Sequence, residues 1–71
     1  MEFKRLRNLR EDGDIKQRTI AEYLGVSQNT YSQYERGVIS VSPEILIKLA
    51  DYFNVSVDYL LERTDKKEMN Q

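Results

Sequence analysis

The side chains best suited to specific hydrogen bonding are concentrated in residues 28–33. Five of these six are Gln, Asn, Ser or Thr: Gln28, Asn29, Thr30, Ser32 and Gln33. A Gln or Asn amide carries a donor beside an acceptor, and this pair matches the N6 and N7 groups that adenine presents in the major groove of DNA. Because Tyr31 and Tyr34 have i, i+3 spacing, one helical face can bury both rings and turn the amides outward. The segment therefore predicts a helix that presents neutral hydrogen-bonding groups to a partner.

Two short predicted helices, residues 17–24 and 28–35, position that surface. The connection between them begins with Gly25, and so tight a turn between crossing helices usually contains a glycine. Ser27 is a natural N-cap for the second helix. Ala21 is small enough to let the second helix approach the first closely. This arrangement is typical of a helix-turn-helix unit.

Groups suited to binding a phosphate lie at the start of the first of these helices. The Gln17 side chain and the first backbone N–H groups face that point, and three cations are close in sequence: Arg10, Lys16 and Arg18. Arg10 has a second interpretation, because it can pair with Glu35 or interact with the dipole of the helix that it ends. Arg36 is either a solvated side chain at a helix end or a contact to the DNA backbone.

The other predicted helices follow from hydrophobic period and capping residues. Residues 2–12 form an amphipathic helix. Ser42, followed by Pro43 and an acidic residue, begins a helix that extends to about Phe53. Ser56 caps a short final helix.

We expect a single all-α domain of five helices over residues 1–63, followed by a polar and flexible tail over residues 64–71. Residues 38–41, three of which are β-branched, have no partner strand, so we predict a loop there. The expected core includes two tyrosines from the second helix of the helix-turn-helix unit and four apolar residues from the fourth helix. They are Tyr31, Tyr34, Leu46, Leu49, Ala50 and Phe53.

Composition narrows the possible functions. The chain has 71 residues with no cysteine and no histidine, which excludes disulfides and thiol nucleophiles and argues against a metal site. We expect no cofactor, no membrane segment and no small-molecule ligand, and the lack of a signal-peptide core predicts a cytoplasmic location. An enzyme is not expected, although a minimal hydrolase acting through serine or carboxylate groups is an alternative. The net charge of −1 allows only a modest number of phosphate contacts.

Much of the sequence resembles a known protein family. The stretch from Gln17 to Gly37, QRTIAEYLGVSQNTYSQYERG, is similar to the helix-turn-helix of the phage repressor and Cro family, also called the Xre family. The resemblance also takes in LRNLR at residues 6–10 and LIKLADYFNVSVDYLL at residues 46–61. It covers about residues 3–63, in the family's order and spacing.

The resemblance implies a five-helix, lambda-repressor-like domain that binds a palindromic operator in double-stranded DNA as a two-fold dimer, usually as a repressor. By the family's pattern, Gln28, Asn29 and Gln33 match base-reading positions, and Gln17 matches a phosphate contact. The residues after Gly37, among them Ser40, match a loop that touches the DNA backbone.

Two departures from the family pattern stand out. Relatives usually have a basic residue soon after the glycine and a proline nearer to it, whereas this loop reads VISVSP at residues 38–43. Ile45 lies where a polar residue is common, and it is either a dimer contact or a surface side chain. The chain has more apolar residues than one small core can bury, namely Ile45, Ile47, Tyr52 and Tyr59, and this excess favours self-association.

The alternative to DNA-binding regulation is a protein-interaction module, such as an antitoxin-type component.

Overall fold

A computed structural model describes residues 3–63, and within that range the regular secondary structure is helical, with no strand. The helices are α1 (Lys4–Asp12), α2 (Gln17–Leu24), α3 (Gln28–Arg36), α4 (Pro43–Phe53) and α5 (Val57–Leu60). The predicted all-α class is confirmed, and so is the loop at residues 38–41. The tail predicted over residues 64–71 lies outside the described residues.

The chain divides between Ser40 and Val41 into two compact units, with α1–α3 in the first and α4 and α5 in the second. In the first unit, α2 and α1 each pack against α3, and in the second α4 packs against α5. None of the described helices is long and apolar enough to cross a membrane.

Serine side chains fix the start of three helices, as the sequence predicted. In each case the hydroxyl oxygen accepts a hydrogen bond from the backbone N–H three residues later, which satisfies a donor that the helix leaves free. The three pairs are Ser27 with Thr30, Ser42 with Ile45 and Ser56 with Tyr59, at 3.1, 3.3 and 3.0 Å. The first residue of α3 is therefore set by its own sequence.

Glycines in the left-handed backbone conformation end both α2 and α3. Gly25 ends α2 with φ +76°, and Gly37 ends α3 with φ +71°. The N–H of Val26 then donates to the carbonyl of Ala21 at 3.0 Å, so the chain turns within three residues before α3 begins.

The core of the first unit draws on all three of its helices. Its buried apolar residues are Phe3, Leu6, Ile20, Ala21, Leu24 and Tyr31. Tyr31 has an exposed fraction of 0%, as predicted, whereas Tyr34 is only half-buried. The prediction for Tyr34 was therefore only partly right, because residues i and i+3 differ by about 60° around the helix axis and a narrow buried face does not cover both fully.

The second unit has a smaller core, formed by Leu49, Ala50, Val55 and Leu60. Leu46 and Phe53 were predicted to be buried, but both are half-buried. Phe53 instead forms an edge-to-face contact with Tyr52, with ring centroids 5.1 Å apart. The spacing of apolar residues predicted correctly which face of α4 is buried. It predicted a wider buried face than the structure has.

A buried carboxylate joins the three helices of the first unit. Glu35 on α3 has an exposed fraction of 3%, and its Oε2 accepts from Nε of Arg10 at 2.6 Å. Its Oε1 accepts from Nη2 of Arg10 at 3.3 Å and from Nε2 of Gln17 at 3.2 Å. Arg10 also donates to the carbonyl of Ile15 at 3.0 Å. The predicted Arg10–Glu35 pair is confirmed, and Gln17 is an additional partner.

Tyr31 lies beside this carboxylate. Its hydroxyl is buried and has no hydrogen bond of standard geometry to any residue in the described range. Burial, and secondarily the charge of Glu35, raises the pKa of Tyr31 above its usual range, so the phenol stays neutral. The hydrogen bond to Glu35 raises the pKa of Arg10 as well. The one charge pair of this cluster is therefore Arg10 with Glu35.

Neutralising Glu35 should cost far more stability than neutralising an exposed glutamate. Glu35→Gln leaves a half-buried guanidinium without its counter-ion, and breaking such a pair costs about 3–5 kcal/mol. The matched control is Glu11→Gln, because Glu11 pairs with Arg7 at 3.7 Å on the exposed side of α1, and exposed pairs contribute below about 1 kcal/mol. Urea unfolding followed by circular dichroism measures both changes. Equal losses for the two variants would contradict the structural role of Glu35.

Replacing Gly25 should test the turn itself. A Cβ at this position would meet no atom within 4 Å, so only the backbone conformation opposes it. We expect Gly25→Ala to lower the free energy of unfolding by about 1–2 kcal/mol, and Gly25→Asn by less, because Asn tolerates the left-handed region better. Thermal unfolding of both variants checks this order. An alanine variant as stable as the parent would show that the turn does not need a left-handed residue.

Candidate nucleic-acid interface

The exposed face of α3 carries the side chains that the sequence singled out for base reading. Gln28 and Asn29 are exposed in the first turn, while Ser32, Gln33 and Thr30 are half-buried. Tyr31 is buried on the opposite side. The expected division of α3 into an aromatic inner face and a polar outer face is therefore observed for Tyr31, Gln28 and Asn29, whereas Tyr34 is half-buried.

These side chains differ in whether they already have partners. Thr30 accepts a hydrogen bond from the Ser27 hydroxyl at 2.9 Å. Across residues 3–63, no hydrogen bond engages the side chains of Gln28, Asn29, Ser32 or Gln33. These four side chains have their full donor and acceptor capacity available, which a folded chain normally leaves only to water or to a ligand.

Two adjoining hollows connect α3 to the start of α2. One is lined by Gln17, Gln28, Asn29 and Ser32, and the other by Arg10, Lys16, Gln17, Arg18 and Gln28. Because Gln17 and Gln28 border both, the predicted phosphate contacts and part of the predicted base-reading set form one continuous surface. Gln33, Arg36 and Ser40 do not line either hollow. Arg36 is exposed at the last residue of α3, and Ser40 is exposed in the loop that follows.

The start of α2 provides donors for an anion. Thr19 and Ile20 donate their N–H groups to the carbonyl of Lys16, at 3.0 and 3.4 Å. Within the described range, the N–H groups of Gln17 and Arg18 have no such backbone acceptor, and the side chains of Lys16 and Arg18 are exposed beside them. Free N–H groups at a helix N-terminus together with two cations form a site suited to a phosphate oxygen.

The side chain of Gln17 is positioned by a hydrogen bond to the buried carboxylate of Glu35, a contact that the sequence did not predict. Its Nε2 donates one hydrogen to the buried carboxylate, so the second hydrogen of that nitrogen is the one left for an external acceptor. The two residues are 18 positions apart and on different helices, and no local pattern connects them. The only signal was the predicted pair of Arg10 with Glu35, which placed a carboxylate near the end of α1.

Comparison with known proteins agrees with this geometry. A family model described as helix-turn-helix matches residues 6–60, which extend from α1 to the last residue of α5. The chain is 35% identical over 68 residues to the HTH-type transcriptional regulator ImmR of Bacillus subtilis, covering 96% of this chain and 54% of that protein. It is 34% identical over 61 residues to the cryptic phage CTXphi transcriptional repressor RstR of Vibrio cholerae, covering 86% of this chain and 55% of that protein.

A third relative is named as an antitoxin. The chain is 40% identical over 53 residues to the antitoxin PezA of Streptococcus pneumoniae, covering 75% of this chain and 34% of that protein. This chain thus spans about half the length of the two regulators and a third of the antitoxin. No solved structure gives a significant match. From the family match over residues 6–60 and the helical order, the chain belongs to the helix-turn-helix family of the phage repressor and Cro (Xre) type.

Proposed function

We propose that this protein binds double-stranded DNA in a sequence-specific manner and regulates transcription, as a repressor, rather than acting as an enzyme. In this proposal α3 enters the major groove. The observation that carries the proposal is the outer face of α3, where four polar side chains without internal partners lie opposite the buried ring of Tyr31. Family membership and the names of the regulator relatives support it.

The proposed roles follow from position and availability. Gln28, Asn29, Ser32 and Gln33 would read base edges, and Thr30, whose hydroxyl oxygen is engaged by Ser27, would contribute through its remaining hydrogen. The DNA backbone would be bound by Gln17, Lys16 and Arg18, by Arg36 at the end of α3 and by Ser40 in the loop that follows. Arg10 would act mainly through Glu35, because that carboxylate already takes two of its donors.

We further propose that the protein acts as a homodimer in the cytoplasm, without a cofactor or a small-molecule ligand. Two-fold symmetry would place two α3 helices about 34 Å apart, one turn of DNA, and would require a palindromic operator. Of the apolar residues predicted in excess of the core, Ile47 on α4 has an exposed fraction of 54%, whereas Ile45, Tyr52 and Tyr59 are half-buried. Partly exposed apolar side chains of this kind support self-association.

Selection of bound duplexes from a random pool, at about 150 mM salt, tests sequence-specific binding. We expect a palindromic motif with half-sites about one helical turn apart. Gln28→Ala and Gln33→Ala should each weaken binding to the selected site by about 1–3 kcal/mol and relax the preference at one base position. Asn8→Ala, which removes an exposed amide from α1, is the control and should change neither. Recovery of no motif would refute the proposal.

The salt dependence of binding should be shallow for a DNA-binding protein. Three exposed cations are proposed to face the backbone in each protomer, Lys16, Arg18 and Arg36, whereas Arg10 is neutralised by Glu35. Six phosphate contacts per dimer predict a slope of log K against log salt of roughly −5, and Arg18→Gln should reduce its magnitude by about 2. Titrations of the selected duplex between low and physiological salt measure the slope. A much steeper dependence would mean that other cations bind phosphate.

A protein-interaction module is the second candidate, and the similarity to the antitoxin PezA favours it. The two functions can coexist in one chain. If this chain binds a partner protein, Gln28→Ala and Gln33→Ala should weaken DNA binding as stated above and leave the protein complex intact, because an antitoxin-type surface would not need the α3 amides. Loss of both activities in these variants would instead place the partner on α3.

A further inference from the structure

A tyrosine hydroxyl without a hydrogen-bond partner lies in the core of the first unit. Tyr31 has an exposed fraction of 0%, and its hydroxyl forms no hydrogen bond of standard geometry to any of the described residues. An unpaired buried hydroxyl is costly, because it has lost its hydrogen bonds to water without replacing them. Such groups are rare in folded proteins, and none of the roles proposed above uses this one.

The nearest anion to this hydroxyl already has its donors. Tyr31 and Glu35 are four residues apart on α3, so they are neighbours on its buried face. Oε1 of Glu35 accepts from Arg10 at 3.3 Å and from Gln17 at 3.2 Å, and these bonds use both lone pairs of that oxygen. Burial, and secondarily Glu35, raises the pKa of Tyr31, so the phenol keeps its proton. Tyr31 can therefore donate to Oε1 once one of the two present donors leaves.

Of these two donors, Gln17 is the one that can leave. The Arg10 guanidinium is bound to the carboxylate through two nitrogens, with Nε 2.6 Å from Oε2, and it also donates to the carbonyl of Ile15. Gln17 donates one neutral hydrogen bond, and its side chain borders both hollows at the start of α2. A phosphate bound there competes with Glu35 for the same amide.

We infer that Tyr31 is a positioning residue for DNA binding: when the amide of Gln17 turns to a phosphate, the Tyr31 hydroxyl replaces it on the Glu35 carboxylate. The inference rests on the proposed function, since it takes Gln17 as a phosphate contact, and it adds a core residue that acts on that contact. The exchange keeps the number of hydrogen bonds to the carboxylate constant and pairs a hydroxyl that was unpaired. Phosphate binding thus removes a cost that the free protein carries.

The alternative arrangement is a bridging amide. Nε2 of Gln17 has two hydrogens, so it can keep its bond to Glu35 and bind a phosphate with the other hydrogen. In that arrangement the Tyr31 hydroxyl stays unpaired with and without DNA, and it has no effect on affinity. The state of the hydroxyl therefore separates the two arrangements.

Carbon-13 NMR of Cζ of Tyr31 measures the state of the hydroxyl in the full chain. Donation to a carboxylate moves this carbon downfield, toward the shift of a phenolate, and Tyr31→Phe identifies its signal among the five tyrosines. In the parent protein the signal should move downfield when the selected duplex is added. In Gln17→Ala it should lie downfield without any DNA, because Oε1 of Glu35 then has a lone pair free for the hydroxyl.

Binding measurements test the effect on affinity. Tyr31→Phe should unfold at a temperature no lower than that of the parent protein, and it should bind the selected duplex about 3- to 10-fold more weakly. This loss should disappear when the phosphate that Gln17 contacts is replaced by a neutral methylphosphonate, which no longer attracts the amide. Tyr34→Phe is the matched control, because it removes a hydroxyl from a half-buried ring of the same helix and should bind like the parent protein.

A Tyr31 signal that does not move on binding the duplex would overturn the inference, since Gln17 would then keep its bond to Glu35. An unmoved signal in Gln17→Ala would overturn it as well, because the hydroxyl could not reach the carboxylate. A Tyr31→Phe variant that is less stable than the parent protein and binds with parent affinity would show a purely structural hydroxyl. Recovery of no motif in the selection is a different failure: it refutes the proposed function, whereas the Gln17→Ala spectrum depends on the free protein alone.

Discussion

The buried carboxylate of Glu35 constrains how the three helices of the first unit pack. Removing a carboxylate from water costs several kcal/mol unless donors surround it, and Glu35 is 3% exposed. The donors come from two other helices, Arg10 at the end of α1 and Gln17 at the start of α2. Rotation of α3 away from α1 would remove the Arg10 donors of this carboxylate, and rotation away from α2 would remove the Gln17 donor. The carboxylate therefore fixes the orientation of α3 more strictly than apolar contacts, which tolerate sliding.

The same interaction shapes the outer surface. Arg10 points at Glu35 and is lost as a free cation, and the only carboxylate of α3 is withdrawn from solvent. What remains outward on α3 is neutral, and the free cations stand at its edges, at Lys16, Arg18 and Arg36. Neutral groups gain little from non-specific attraction to phosphates, so under the proposed function such a surface would favour discrimination between sequences over tight binding to any DNA.

The fold was predictable where the determinants are local. Ser27, Ser42 and Ser56 cap the helices that the sequence assigned to them, and Gly25 takes the left-handed conformation expected of it, because each depends on residues within one turn. The half-burial of Tyr34 and Phe53 was not predictable, since the width of a buried face depends on the neighbouring helix. The bond from Gln17 to Glu35 was missed for the same reason. Of the candidate site, the exposure of Gln28 and Asn29 followed from the burial of Tyr31, whereas their roles on DNA stay predictions.

The four outward side chains of α3 have no structural role in the described chain. None of Gln28, Asn29, Ser32 and Gln33 caps a helix, belongs to the buried core or forms a hydrogen bond within the described residues. The residues that stabilise the fold and those proposed to bind DNA thus occupy separate positions of one nine-residue helix. Substitutions at the outward positions can therefore accumulate almost neutrally for folding. Under the proposed function each of them would change the preferred operator, so this scaffold would allow regulators to diverge in specificity without a change of the domain.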